Sequence, residues 1–218
     1  MKTLRIESLD IRPINVGLTD TFTISQGSVQ EVRSLLVTLT LDNGTTGYGE
    51  ITPFPELAGE NREACIEKFN EVSPELIGKS LNNIRTLSHI LEEALPGSPS
   101  VKCGIEISML DALTRTLEIP LWSYFGGLNE EILQTDITIP ILSLERSLEL
   151  ADKWVEKGFQ TLKIKVGSDH DKEVNLISEI NKKDPDIQFI IDANQAFEEN
   201  QTLEFTRELL AKECDIVL

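Results

Sequence analysis

Histidine, paired cysteine, aromatic side chains and positive charge are all scarce in this chain. Two histidines among 218 residues, His89 and His170, leave a histidine-based metal site or a Ser-His-Asp triad little to work with. His89 falls inside a helical pattern and His170 sits beside acids near a loop, so both read as surface or helix-end residues. The cysteines, Cys65, Cys103 and Cys214, are odd in number, widely spaced and free of any CxxC pair. That excludes a disulfide framework and a zinc ribbon, and reads as thiols packed as small apolar groups in a reducing compartment. Lys and Arg number 20 against 37 Asp and Glu, a formal charge of −17. Such a field repels phosphates and argues against nucleic acid and anionic membrane as partners. No run approaches the ~18 apolar residues of a membrane span. The start, MKTLRIESLDIRPINV, lacks the apolar core of a signal peptide, and the expectation is a cytoplasmic protein. What remains is a globular composition, 40% hydrophobic and 26% charged.

The first 50 residues alternate as strands do. Leu4, Ile6, Leu9, Ile11 and Ile14 begin one strand, and Leu35 to Leu41 make another that ends at Asp42-Asn43-Gly44, a hairpin turn signal. Between these strands the polar stretch from Leu18 to Gln30, with Gly27 inside it, reads as a loop of functional length. From Asn61 to about Leu117 the period is helical. Ala64, Phe69 and Val72 share a helix ended by Ser73-Pro74. Ile84, Leu87, Ile90 and Leu91 share a second, closed by Pro96-Gly97, and Ile105, Leu110, Leu113 and Leu117 stripe a third. Strands followed by helices predict an α+β domain over residues 1–130.

Beyond it strand and helix alternate. Strands start near 135, 161, 187 and 214, a period of 26 or 27 residues, with helices between them; Ser143 is a fitting N-cap and Gly158 a fitting C-terminal stop for the first. Short loops at that period mean a parallel sheet with helices outside, either doubly wound or a (β/α)8 barrel. Eight units need at least about 200 residues. Residues 131–218 therefore hold about three βα units and the start of a fourth strand.

Two features carry chemistry. In Thr161-Leu162-Lys163-Ile164-Lys165-Val166 the apolar residues point one way and Lys163 and Lys165 the other. Two ammonium groups on one face of a covered strand need acids, water or a substrate, unless this is an edge strand guarded by lysines. If both face one pocket, each raises the cost of charging the other and one becomes a usable base. Asp192, in Ile191-Asp192-Ala193-Asn194-Gln195, falls at the carboxyl end of its strand, where α/β folds place active sites. It is a hard oxygen ligand suited to Mg²⁺, or a turn Asp before the next helix.

The α+β domain, the βαβ repeat, Gly-Phe-Gln-Thr-Leu-Lys-Ile-Lys-Val-Gly (158–167) and Ile-Asp-Ala-Asn-Gln (191–195) together resemble the enolase superfamily. Within it the chain is most similar to the muconate-lactonizing-enzyme subgroup and its dipeptide epimerases, along essentially its whole length. The resemblance implies an α+β capping domain followed by an incomplete (β/α)8 TIM-type barrel. It implies an isomerase reaction that abstracts a proton α to a carboxylate through a Mg²⁺-stabilised enediolate. It assigns Lys165 as one acid/base residue and Lys163 as its electrostatic support. Asp192 would be the first metal ligand, with Asn194 a polar group beside it, and Thr138 would contact substrate. The 18–30 stretch and Pro53 to Gly59 resemble the segments that close over the substrate.

Two departures from the family pattern stand out. Epimerases acting on acidic dipeptides carry an arginine in the N-terminal loop, and Ser25-Gln26-Gly27-Ser28 has none, Arg33 lying farther on. A neutral or hydrophobic dipeptide therefore fits equally well. The family's other two metal carboxylates, on strands four and five, and its opposing lysine, on strand six, fall beyond Leu218. The expectation is a small-molecule carboxylate substrate, with activity and homo-oligomerisation in the full-length protein and none in this chain alone. An o-succinylbenzoate synthase-like lyase or an N-acylamino acid racemase shares the same motifs. A non-catalytic remnant, or one half of a split protein, is the non-enzymatic alternative.

Overall fold

The computed structural model describes residues 3–24, 27–55, 59–127 and 134–217. They cluster into two compact units, one of residues 1–17 and 31–130 and the other of 18–30 and 131–218.

β1 (Ile6–Ile24), β2 (Gly27–Leu41) and β3 (Thr46–Ile51) lie side by side in that order; their residues up to 17 and from 31 on belong to the first unit, and the β1–β2 end over 18–24 and 27–30 to the second. β2 and β3 pair antiparallel, and the turn between them has Gly44 at φ +83°, a backbone state open to glycine. Alternation on β2 buries Leu35, Val37, Leu39 and Leu41 completely. Onto this face pack α1 (Arg62–Leu76), α2 (Ile84–Ala94) and α3 (Pro99–Thr116), with the short α4 (Leu121–Tyr124) following.

Four expectations need correction here. The stretch from Leu18 to Gln30 is the far end of the β1–β2 ribbon: β1 runs to Ile24 and β2 starts at Gly27. Thr19, Thr21, Thr23 and Val29 are good strand formers, and the ribbon reads as polar because its side chains there are mostly exposed. Helix α1 runs through Pro74 to Leu76. Pro74 stands in the last turn, where it removes one helical hydrogen bond, and the fully buried Leu76 holds that turn in place. The buried face of α3 is Val101, Gly104, Ile105, Ser108, Met109 and Ala112, while Leu117 is exposed. Small residues decide this face, because α3 lies against the β3 backbone. A Cβ on Gly47 would collide with the Ser108 carbonyl oxygen, and one on Gly49 with that of Gly104. The thiols also divide: Cys65 and Cys214 are buried as expected, but Cys103 sits on the outer face of α3 and is exposed.

The second unit contains β4 (Ile137–Ile139), α5 (Leu144–Glu156), β5 (Thr161–Lys165), α6 (His170–Lys183), β6 (Gln188–Asp192), α7 (Glu199–Ala211) and β7 (Asp215–Val217). All neighbouring strands pair parallel, in the order β4-β5-β6-β7. A doubly wound sheet reverses its order at a switch point, whereas a strictly sequential order is that of a barrel wall. The architecture is an N-terminal α+β domain followed by a partial (β/α) barrel. Ile139, Leu162, Ile164 and Phe189 form its core with Ala151, Ile177, Phe205 and Leu209 of the three helices. No helix among the described residues is long and apolar enough to cross a membrane.

Candidate active site

Strand β5 is flanked by β4 and β6, so its lysines are not an edge-strand device. In-register partners of a parallel pair share a face. Thr138 stands opposite Lys163, Lys163 opposite Ile190, and Lys165 opposite Asp192. Leu162 and Ile164 take the other face, toward the helices, where both are fully buried. The barrel wall thus turns Leu162 and Ile164 outward to the helices and gathers Thr138, Lys163, Lys165 and Asp192, with Ile190 among them, on its opposite side.

The charged groups meet at the carboxyl ends of β5 and β6. Lys165 Nζ donates to Asp192 Oδ2 and to Asn194 Oδ1, both at 2.7 Å. Lys163 Nζ lies 2.8 Å from the same Asp192 Oδ2. Lys165 is 9% exposed, an unusual depth for an ammonium group, and these two acceptors are what makes it tolerable. Past Asp192 the chain turns sharply, with Asn194 at φ +46° and Gln195 at φ +67°. Asparagine enters this left-handed region more readily than most residues. The turn lets the Asn194 N–H donate to Asp192 Oδ1 at 2.9 Å while its side-chain oxygen reaches back to Lys165. Burial works to raise the Asp192 carboxyl. The hydrogen bonds from Lys163, Lys165 and the Asn194 amide outweigh it and hold the group well below the ordinary carboxylate range.

The far end of the β1–β2 ribbon belongs to the same compact unit. The Ile141 N–H, just after β4, donates to the Thr23 carbonyl at 3.3 Å, which brings the ribbon to the carboxyl end of the first barrel strand. There Thr23 and Ser28 join their hydroxyls at 2.8 Å. Of the four residues in the Ser25-Gln26-Gly27-Ser28 departure, Ser25 and Gln26 lie outside the described residues. Arg33 stands on β2 and pairs with Glu31, Nε to Oε1 at 3.3 Å. His89 is exposed, and His170 opens α6 and pairs with Glu208 at 3.0 Å, as surface or helix-end histidines do.

Asp192 can supply one oxygen to Mg²⁺. Among the described residues no group of three His, Cys, Asp or Glu side chains could hold a metal ion, so these residues do not by themselves make a magnesium site.

One residue escaped the sequence reading. Glu173, in the first turn of α6, is buried and gathers the backbone amides that follow β5. The signal for it was present: an acid shares the helix stripe of Ile177 and Ile180, four and seven residues on, where an apolar side chain belongs.

An α+β domain leading into sequential βα units, with amines and an acid at the strand carboxyl ends, defines the enolase class of proteins. The family comparisons agree in that order. The mandelate racemase / muconate lactonizing enzyme N-terminal domain matches residues 8–126, and the enolase C-terminal domain-like family matches 146–217. The chain belongs to the mandelate racemase / muconate lactonizing enzyme family. It is 34% identical over 206 residues to the L-Ala-D/L-amino acid epimerase of Populus trichocarpa, covering 94% of this chain and 49% of that protein. With the L-Ala-D/L-Glu epimerase of Bacillus subtilis it shares 31% identity over 212 residues, 96% of this chain and 57% of that one. The substrate-liganded structure of the B. subtilis L-Ala-D/L-Glu epimerase superposes with a TM-score of 0.94 at 29% identity, over 98% of this chain and 60% of that one. A dipeptide epimerase from Cytophaga hutchinsonii, complexed with Mg and D-Ala-L-Val, gives 0.91 at 26% identity, over 96% and 57%. The chain thus spans about half to three fifths of the length of these relatives.

Proposed function

We propose that this chain supplies one half of a proton-transfer site for epimerising a dipeptide or related amino-acid derivative at the carbon α to a carboxylate. The observation that carries the reading is the convergence of Lys163 and Lys165 on Asp192 Oδ2 beside Asn194. Lys165 moves the α proton on one face of the substrate. Lys163 adds positive charge where the enediolate develops and helps hold the substrate carboxylate. Asn194 orients Lys165, and Thr138, opposite Lys163 in register, contacts substrate. The relatives named as dipeptide epimerases support the reaction class.

A bound Mg²⁺ would supply Lewis-acid stabilisation for the negative charge that develops on the substrate carboxylate. Asp192 would be one of its ligands; among the described residues no group of three His, Cys, Asp or Glu side chains completes the set. The reaction is proposed for a protein that carries this chain together with the remaining metal ligands and base, in the cytoplasm; without them the site is expected to be inactive. No arginine occurs between Leu18 and Gln30, so neutral dipeptides belong in the test beside acidic ones. The experiment is deuterium incorporation from D₂O into a dipeptide library by the longer protein, read by mass spectrometry. Incorporation at one α carbon supports the reading; a library without exchange defeats it. Exchange confined to N-acylamino acids, or loss of water from a substrate, would favour the racemase or lyase alternative.

A further inference from the structure

We propose that Glu173 is a positioning residue for this site: its carboxylate freezes the glycine hinge behind Lys165 and so fixes the strand end from which Lys165 reaches Asp192 and Asn194. The proposal rests on the reading of Lys165 as the proton-transfer group.

The chain leaves β5 through Val166 and Gly167. Upstream, the Val166 N–H donates to the Asp192 carbonyl at 3.1 Å, which ties the strand end to β6. Gly167 then takes φ +114°, a state in which glycine is free and other residues are strained. Left alone, such a residue is a hinge within two positions of the buried ammonium. Glu173 closes it. The Gly167 N–H donates to both carboxylate oxygens at 3.0 Å, and the Ser168 N–H to Oε1 at 2.7 Å. The Ser168 hydroxyl reaches Oε1 at 2.9 Å and the Asp169 N–H at 3.1 Å. Three successive amides thus form an anion-binding nest, and the anion is part of the protein's own next helix. Bonds to an ionised acceptor are about twice as strong as neutral ones.

Helix capping alone does not account for the arrangement. Asp169 is already the N-cap of α6, with its side chain accepting from the Lys172 N–H at 3.3 Å. Glu173 is only 6% exposed and takes an apolar place on the helix. Water could satisfy three loop amides one by one, but it would not tie them to α6. The carboxylate makes the helix, the loop and the end of β5 one rigid piece.

The test uses ¹⁵N-labelled 218-residue chain and the Lys165 ammonium resonance, assigned by its disappearance in Lys165→Arg. An ammonium this buried, on two fixed acceptors, exchanges slowly enough with water to be seen. In Glu173→Ala the resonance is expected to broaden beyond detection. Asp169→Ala removes the N-cap side chain of the same helix end but keeps the Asp169 N–H that donates to Glu173, and there the melting temperature should fall while the resonance persists. If Glu173→Ala does not fold, Glu173→Gln decides. It keeps one acceptor oxygen and the shape, and should still broaden the resonance. A folded Glu173→Ala or Glu173→Gln chain with an unchanged Lys165 resonance overturns the proposal, and so does its loss in Asp169→Ala. The readout needs no turnover, so a longer protein that exchanges no α proton would sink the epimerase reading and leave this result standing.

Discussion

Lys163 and Lys165 share a single acceptor atom, Asp192 Oδ2, at 2.8 and 2.7 Å. Strand alternation forces the two ammonium groups onto one side of β5, and the parallel register with β6 sets the carboxylate opposite Lys165. Two like charges held this close are unfavourable unless an anion lies between them. The site is a small ionic cluster in which two ammonium groups meet one carboxylate.

Asp192→Asn keeps the shape and removes the charge. The second unit should lose about 1–3 kcal/mol, because two partly buried donors lose their ionised partner. Adding Lys165→Met should restore part of the loss, since it removes one of the stranded charges. Urea unfolding midpoints measure both. The sign with pH is definite. The folded-state carboxyl lies below its ordinary value of 3.8, so its stabilising contribution is complete above that value and is lost as pH falls through the folded one. The gap between wild type and Asp192→Asn should therefore be full at neutral pH and close in acid. A constant gap down to pH ~2 would contradict the ion cluster.

Gly49→Ala tests the first unit. Its new methyl meets the Gly104 backbone, and α3 must move away from β3. Overpacking of this kind costs about 1–3 kcal/mol or more. Gly17→Ala has open space around it and should stay within about 0.5 kcal/mol. Equal midpoints for the two variants would refute the close helix–sheet contact.

The thiols should react in order. Cys103 is exposed and should label first with a disulfide reagent, while Cys65 and Cys214 wait for unfolding. Burial, with the nearby Glu60 charge adding to it, pushes the Cys65 thiol from 9.0 up to about 11. Its contribution to stability is complete below pH 9.0 and is lost as pH rises toward about 11, because the unfolded chain releases that proton first. Cys65→Ala should therefore flatten the alkaline fall in stability; an unchanged alkaline limb would count against the buried thiol.

The ionic cluster was legible because its signal is local. Lys-x-Lys in an apolar strand and an acid closing the next strand both follow from period-two alternation, and Thr138, Lys163, Lys165 and Asp192 indeed share one side of the sheet. The βα repeat was legible for the same reason. What the sequence hid depends on tertiary contact. Of the stripe Ile105, Leu110, Leu113 and Leu117, Ile105 is fully buried, but the glycines of β3 select the small face of Gly104, Ser108 and Ala112 beside it. Polarity made residues 18–30 look like a loop, although two exposed strands read the same way. Glu173 marks itself only as an acid on an apolar helix stripe; the backbone amides it binds leave no trace in the side-chain pattern, so its role is not legible.

The most direct measurement is α-proton exchange of a dipeptide substrate in D₂O, followed by ¹H NMR, with Lys165→Ala introduced into the longer protein. Loss of an acid/base group of this kind removes about 10²–10⁴-fold of rate. The account predicts a drop of that size on the face served by Lys165, with fold and substrate binding retained. Exchange at the wild-type rate would contradict it.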